Sequence, residues 1–359
     1  MRITVLGGGH GCYAAAADLS EQGHEVTLWR RDMRALDAVA RTGCIILHDY
    51  RGRREIPISR TEADAGQAIR GAELIVIATP AFSQNEIAAA IAPHLRDGQV
   101  IFLPPGTFGS YVMASEVRKA GNAAAVAYAE TGTLPYLARK HGEAEVTITT
   151  RATRLPTGVF PASATTQAIA VIKQAYQSVE TVEDALSAAL MNAGPIIHPP
   201  LILMNAGPLE HFETWDIHNE GTQPAIRHVT DVLDLERIAV RKALGYSAPH
   251  FPLADHYNSD RWMYGHAHDQ LVDSGDWREH IDLQTHRYMR EDVACGLAFL
   301  VSVADWVGLP LPVASGLLAI GGAVCGEDLA RGPRTLRSMG LGSLDMAAMK
   351  QMLNQGLAR

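Results

Sequence analysis

Residues 1–32 read MRITVLGGGHGCYAAAADLSEQGHEVTLWRRD. The apolar run Ile3–Leu6 leads straight into Gly7, Gly8, Gly9, His10 and Gly11, and an alanine-rich helical stretch, Gly11 to Glu21, follows at once. A glycine-rich loop between a strand and a helix has a physical use. The first glycine permits the tight turn, and the next lets backbone approach a pyrophosphate. The helix start then offers unpaired N–H groups and a partial positive charge to the phosphates. The spacing alone is a weak signal, and a glycine turn in another α/β fold is the plain alternative. What strengthens it is context, because the loop follows a strand and opens a strand–helix–strand unit. Gly7, Gly9, His10, Gly11 and Cys12 are therefore the candidate dinucleotide loop. Cys12 departs from the pattern, since a third glycine or an alanine is usual there, but a small thiol still allows close helix packing.

The second strand, Val26–Trp29, decides which dinucleotide. An Asp or Glu at its end takes the ribose hydroxyls of NAD, whereas an Arg accommodates a 2′-phosphate. Counted from Gly7, that position falls on Arg30, with Arg31 beside it. A guanidinium forks onto a phosphate with two hydrogen bonds, while a carboxylate would repel it. The reading favours NADP(H), with NAD(H) possible because a small shift of register brings Asp32 to the ribose. Two solvated arginines at a helix start are the bland alternative.

Outward from this unit the first half keeps alternating. A helix over Asp32–Arg41, a hairpin insert over Cys44–Ser59, a buried strand Leu74–Ala78 ending at Thr79-Pro80, a helix Gln84–Leu95, and strands Val100–Leu103 and Ala124–Ala129 are expected. Apolar strands alternating with helices signal a parallel sheet covered on both faces. Val146–Thr150 and Gly158–Pro161 read as two more strands, and Ala164–Gln177 as a helix. From Glu183 the periodicity is almost purely helical. The boundary is expected near residues 180–186, giving domains 1–183 and 184–359.

The composition is ordinary for a soluble protein, at 47% hydrophobic and 19% charged. A net charge of −8 with no long block of one sign argues against nucleic acid as a partner. Cys12, Cys44, Cys295 and Cys325 are scattered and form no CxxC pair, which fits a reducing cytoplasm better than a disulfide framework or structural zinc. Residues 2–6 read as a buried strand rather than as part of a signal peptide. Trp306–Gly326 carries no charge and is long enough to span a bilayer, but Leu309-Pro310-Leu311-Pro312 breaks it into two shorter helices, so no membrane span is expected.

Three stretches of the second half stand out. Asn192–Pro200 sets His198 in an apolar, helix-breaking context, where it is either a satisfied core residue or an acid–base group. Arg287-Tyr288-Met289-Arg290-Glu291-Asp292 places charges before an apolar helix, which alone is a capped helix start. Tyr246–His286 reads as a long irregular segment, of the kind that is functional or mobile. Its His256, His266 and His268 make no complete ligand set, so no metal is expected; with Trp262 and Trp277 they fit a polar lid or pocket wall.

The passages HPPLILMNAG (198–207), DLERIAVRKALGY (234–246) and RYMREDVACGL (287–297), with Pro104-Pro105-Gly106 and Ala129-Glu130-Thr131, resemble the opine dehydrogenase family of octopine/nopaline type. They are also similar to its N-(1-D-carboxyethyl)-L-norvaline dehydrogenase branch. The resemblance spans nearly the whole chain. It implies a Rossmann domain followed by an all-α C-terminal domain like that of opine and 6-phosphogluconate dehydrogenases. It also implies NAD(P)H-dependent reductive condensation of an amino acid amine with a 2-oxo acid through an imine, and the reverse oxidation. The family's catalytic histidine then corresponds to His198, its acidic partner to Asp292, and the arginine that binds the oxo-acid carboxylate to Arg287. Asn205 falls with Arg287 on the substrate-binding side, and Thr79, Pro80 and Glu130 with the cofactor. The bacterial relatives imply a homodimer.

The chemistry is sound on its own terms. Hydride addition requires a protonated imine or leaves negative charge on oxygen, so a positioned His⁺ backed by a carboxylate suits it. The nearest alternative keeps the cofactor and changes the substrate, as in ketopantoate reductase or glycerol-3-phosphate dehydrogenase. Those enzymes commonly rely on a catalytic lysine, and Lys173, Lys242 and Lys350 stand in none of their motifs. A non-catalytic NADP sensor would need the His/Asp/Arg set to be disrupted.

Overall fold

The run Ile3–Leu6 becomes the centre of an eight-stranded sheet. In this computed structural model, which describes residues 1–255 and 277–357, β1 (Arg2–Leu6) lies between β2 (Glu25–Trp29) and β6 (Leu74–Val76). The full order is β12-β11-β8-β7-β6-β1-β2-β5, with β5 Arg60–Glu62, β7 Val100–Leu103, β8 Ala127–Thr131, β11 Leu155–Phe160 and β12 Val179–Thr181. Every pair is parallel except β8 with β11. The strands β5-β2-β1-β6-β7-β8 run in the doubly wound order of a dinucleotide-binding fold, whose crevice opens where the order reverses, between β1 and β6. The buried strands β6 and β7 (LIV, VIFL) are apolar throughout because both faces are covered.

The hairpin insert becomes a second sheet. β3 (Cys44–Asp49) and β4 (Gly52–Pro57) are antiparallel, and β10 (Glu145–Arg151) joins β3 in parallel and β9 (Tyr136–His141) in antiparallel. The helix His10–Glu21 contacts strands of both sheets. That explains its composition: Gly11 to Leu19 are all buried, so the helix has no solvent stripe and is built from small residues that let both sheets come close. Asp18 ties helix to insert, accepting from Tyr136 Oη at 3.1 Å and Arg151 Nε at 2.8 Å.

Several expected boundaries move. The strand expected at Ala124–Ala129 starts at Ala127, and the helix over Ala164–Gln177 is confined to Thr165–Ile172. The helix Gly109–Lys119 and strand β9 escape the sequence reading. That helix starts after two left-handed residues, Thr107 and Phe108, and is capped from far along the chain by Glu130, so no local signal announces it.

The chain passes out of this first unit between Thr79 and Pro80, returns at Ser83, and leaves again at Leu190. Residues from Lys350, placed by the sequence in the C-terminal domain, cluster with the first unit; Pro80–Phe82 cluster with the second. The second unit is helical: Gly194–Met204, Ala206–His211, Pro224–Ala243, a π-helix Tyr288–Leu297, Ala298–Trp306 and Pro312–Cys325. A two-residue antiparallel bridge, Trp215–Asp216 with Arg278–Glu279, is its one sheet element among the described residues. The Leu309–Pro312 break falls between helices as expected. The stretch Ala185–Met204 is long and apolar enough to cross a membrane, but 78% of its apolar window is buried inside the protein.

The DLERIAVRK passage proves to be a fastening. Arg237 is buried and donates to Asp234 Oδ1 (2.7 Å) and to the carbonyls of Leu190, His250 and Phe251. Glu236 accepts from the Val313 and Ala314 amides, both at 2.8 Å, capping the helix that starts at Pro312.

In β11, a Cβ on Gly158 would stand 1.9 Å from the Asp184 carbonyl oxygen. Gly158→Ala must therefore push backbone against backbone. We expect a loss of roughly 1–3 kcal/mol in urea unfolding; an unchanged midpoint would show that the strand can yield there.

Candidate active site and cofactor loop

Gly7 ends β1 with φ +125°, a conformation closed to L side chains, and its N–H donates to Trp29 O at 3.0 Å. Gly9 starts the helix, is exposed, and has nothing within 4 Å of where a Cβ would be. Among the described residues no side chain at Gly9 caps this helix, and no acid lies in its first turn. A Cβ on Gly11 would meet Leu134 at 2.8 Å and Ala78 at 3.2 Å, which is the close approach the motif requires. Cys12 fills the third-glycine position by turning inward: its thiol donates to Leu6 O and Ala78 O, and burial pushes it up to about 12. It is a packing residue, not a reactive one. His10 accepts the Lys140 N–H at Nδ1, 2.8 Å away.

At the end of β2 the two arginines part. Arg30 lies over the loop, its side chain so close to Gly8 that a Cβ there would be 2.4 Å from Cδ. Arg31 turns to the surface and pairs with Glu86 at 3.1 Å. Asp32 is occupied too, capping Met33–Leu36 and bonding Arg34. Thr79, after β6, packs against Gly7, and its buried hydroxyl has no hydrogen-bond partner among the described residues. The helix N–H groups, an orphaned hydroxyl and an overlying guanidinium suit a dinucleotide phosphate and ribose. Pro80 belongs with the second unit. Glu130 is engaged with the helix Gly109–Lys119. It is wholly buried and accepts from the Gly109 N–H and Ser110 Oγ, because a carboxylate taken out of water needs such donors.

In the helical unit, His198 Nδ1 and Asp292 Oδ2 are 2.7 Å apart. The pair depends on two glycines. A Cβ on Gly194 would collide with Asp292 Oδ1 at 2.2 Å, and one on Gly296 with Pro195 at 2.1 Å. The helix Gly194–Met204 and the π-helix can thus lie against one another. Prolines at 199 and 200 remove two donors from the turn beside His198. The Tyr288 ring stacks on the imidazole, centroids 3.7 Å apart and 15° between planes. Tyr288 Oη is 3.1 Å from His218 Nε2, and His218 stands edge-on to His198 at 5.7 Å and against Trp277 at 4.0 Å. His218 and Tyr288 were not singled out from the sequence, although Tyr288 lies inside the RYMRED passage. His256, His266, His268 and Trp262 lie outside the described residues.

A continuous α-helix would put Arg287 and Asp292 on different faces. The segment is instead a π-helix, in which residues five apart are bonded neighbours on successive turns. Arg287 caps the start of that helix, close enough for its charge to act on Asp292. The Arg287 guanidinium lies 4.9 Å from the Tyr288 ring centroid, and its charge lowers both neighbouring carboxyls. Burial outweighs it, raising Asp292 to about 7. Burial, with the charge of Asp292, likewise raises Glu291 to about 7. Asn205 is buried, and its amide hydrogens go to Leu201 O and Gly221 O. Both donors are spent holding a turn.

An 18–27% level of identity accompanies near-complete overlap with known proteins. Residues 181–325 match the alpha-helical domain of NAD/NADP octopine/nopaline dehydrogenases, and residues 3–153 match ketopantoate reductase PanE/ApbA. The opine dehydrogenase of Arthrobacter sp. (strain 1C) is 27% identical over 96% of this chain and 97% of its own length. The vitopine synthase of Allorhizobium ampelinum is 25% identical over 98% and 99%. An octopine dehydrogenase solved with NADH and agmatine superposes with a TM-score of 0.72 at 18% identity, covering 100% of this chain and 99% of that one. The chain is an NAD(P)-dependent dehydrogenase of CH–NH donors. In its helical half by family model, and along its length by sequence and fold, it is similar to the opine dehydrogenases.

Glu291 supplies a test of the buried charges. Its folded value, about 7, lies above the ordinary 4.5, so the folded chain keeps a proton that the unfolded chain releases between those pH values. Its contribution to stability therefore declines as pH rises from about 4.5 to about 7. Thermal melts of Glu291→Gln against the parent should show the variant gaining between pH 5 and pH 8. A Tm difference that does not vary with pH would contradict this.

Proposed function

We propose that this enzyme joins the amine of an amino acid to the carbonyl of a 2-oxo acid by NADPH-dependent reduction of the imine, and catalyses the reverse oxidation. The observation that carries the reading is the His198–Asp292 pair, with Arg287 at the start of the π-helix within electrostatic reach of that acid. Related octopine dehydrogenases have been solved with L-arginine and with pyruvate, which are the two substrate types required. The alternative reductase reading is supported by the match over residues 3–153, which covers the nucleotide half and not the helical half.

Gly7, Gly9, Gly11 and Thr79 would hold the dinucleotide, within the cofactor domain 1–183. When bound, the nicotinamide supplies the hydride. Arg287 takes the oxo-acid carboxylate in a bidentate fork and so sets the plane of the neighbouring carbon. His198 gives its proton to the condensing substrate in the reductive direction and takes one in the oxidative direction. Asp292 holds Nδ1 and, when ionised, favours the imidazolium. Burial raises the Asp292 carboxyl, and the Arg287 charge opposes that rise. NADPH is favoured over NADH because Arg30, and not an acid, lies over the loop. Both cofactors occur among the structural relatives, as NADH in octopine dehydrogenase and NADP+ in yersinopine dehydrogenase.

The four cysteines are free thiols, which supports a cytoplasmic setting. On the helix Pro312–Cys325 an exposed apolar stripe, Pro312, Gly316, Ala319, Ile320 and Ala323, supports a homodimer, which light scattering would test.

A screen of 2-oxo acids against amino acids, followed by NADPH absorbance, tests the activity itself. His198→Ala should lower kcat by about 10²–10⁴-fold while the cofactor still binds; near-native turnover would leave His198 a core residue. Asp292→Asn removes the anion that favours the imidazolium. In opine oxidation, which uses neutral His198, the acid limb of the rate profile should then move to lower pH as turnover falls. Arg287→Ala should raise KM for the oxo acid far more than KM for NADPH. If Arg287→Ala gives only a pH shift and Asp292→Asn only a KM effect, the two roles are exchanged.

A further inference from the structure

Lys140 lies in β9, 130 residues from His10, yet its N–H is bonded to His10 Nδ1. Its ammonium stands 4.1 Å from the centroid of the Tyr13 ring. His10 and Tyr13 both belong to the first turn of the helix that leaves the glycine loop, so β9 presents a cation beside that turn. Arg30 lies over Gly8 of the same glycine loop. The two cations sense each other: Lys140 is lowered by burial and then by the charge of Arg30, and Tyr13 is affected by Arg30 as well. The acid facing this group is Glu143, which interacts with both Lys140 and Tyr13.

Holding a half-buried lysine near an arginine works against folding unless an anion offsets it. A phosphate monoester, with close to two charges and three acceptor oxygens, is the anion such a pair suits. We propose that Lys140 completes the 2′-phosphate pocket of NADP(H) with Arg30, the inserted four-stranded sheet thus supplying the half of the specificity site that the glycine motif lacks. This rests on the NADPH reading above. The ring of Tyr13 and the imidazole of His10 fix where the lysine stands, through its stem and its backbone, while its charge remains available to the phosphate.

Lys140→Met keeps the apolar stem over Tyr13 and removes only the charge. Kd values for NADPH and NADH, from quenching or enhancement of nicotinamide fluorescence, should show NADPH weakened about tenfold and NADH changed by less than about twofold. Lys140→Arg should retain most of the preference. Equal losses for both cofactors would make Lys140 a structural residue and overturn the proposal, as would no change in either. If the parent enzyme prefers NADPH while Lys140→Met leaves that preference intact, the proposal fails alone. If the parent binds both cofactors equally, the NADPH reading fails with it.

Discussion

A carboxylate buried against an imidazole constrains everything around it. Asp292 gives up water to reach His198, and burial alone would leave it neutral and inert. Three features make the contact workable. Gly194 and Gly296 remove the side chains that would hold the two helices apart. Arg287, at the start of the π-helix, sets a positive charge against the desolvation. Tyr288 covers the open face of the imidazole and is tied in turn to His218. Glycine, π-turn and tyrosine are thus conditions for one another, and none would be needed around a surface histidine.

The scaffold beneath that contact is equally specific. Arg237, Asp234 and Glu236 spend their polar groups on neighbouring backbone, and between them secure Leu190, His250, Phe251 and the start of the helix at Pro312. Buried charges of this kind add little net stability over an apolar core, but removing one partner leaves the other stranded. A passage that marks the family is therefore a statement about geometry, and the acid–base groups lie elsewhere.

Most of the architecture could be read from residue patterns because its signals are local. The glycine turn after Ile3–Leu6, the hairpin at 44–59 and the proline break at 309–312 each depend on a few adjacent residues. What escaped depends on distant partners. Helix Gly109–Lys119 needs Glu130 as its cap, and β9 gains its place by pairing with β10. The same reason explains what residue patterns do not tell about individual side chains. Glu130 and Asn205 stand in recognisable passages, but their hydrogen bonds are committed to the fold. Arg30 and Arg31 are indistinguishable in sequence and separate only because one finds a groove over Gly8 and the other finds Glu86. A helical wheel, which assumes α geometry, does not describe the segment that carries Arg287 and Asp292, where the bonds skip five residues.

The stacked tyrosine has one more consequence. With Tyr288 nearly parallel at 3.7 Å and Nδ1 bound to Asp292, the imidazole cannot exchange its two nitrogens by a half-turn of the ring without first parting from both. The ring is held in one orientation, with Nδ1 given to the carboxylate. In the proposed reaction a proton that leaves through Nε2 is then replaced through Nε2. The histidine of that proposal is less a shuttle that swings between donor and acceptor than a turnstile, reset from the same opening through which it discharged.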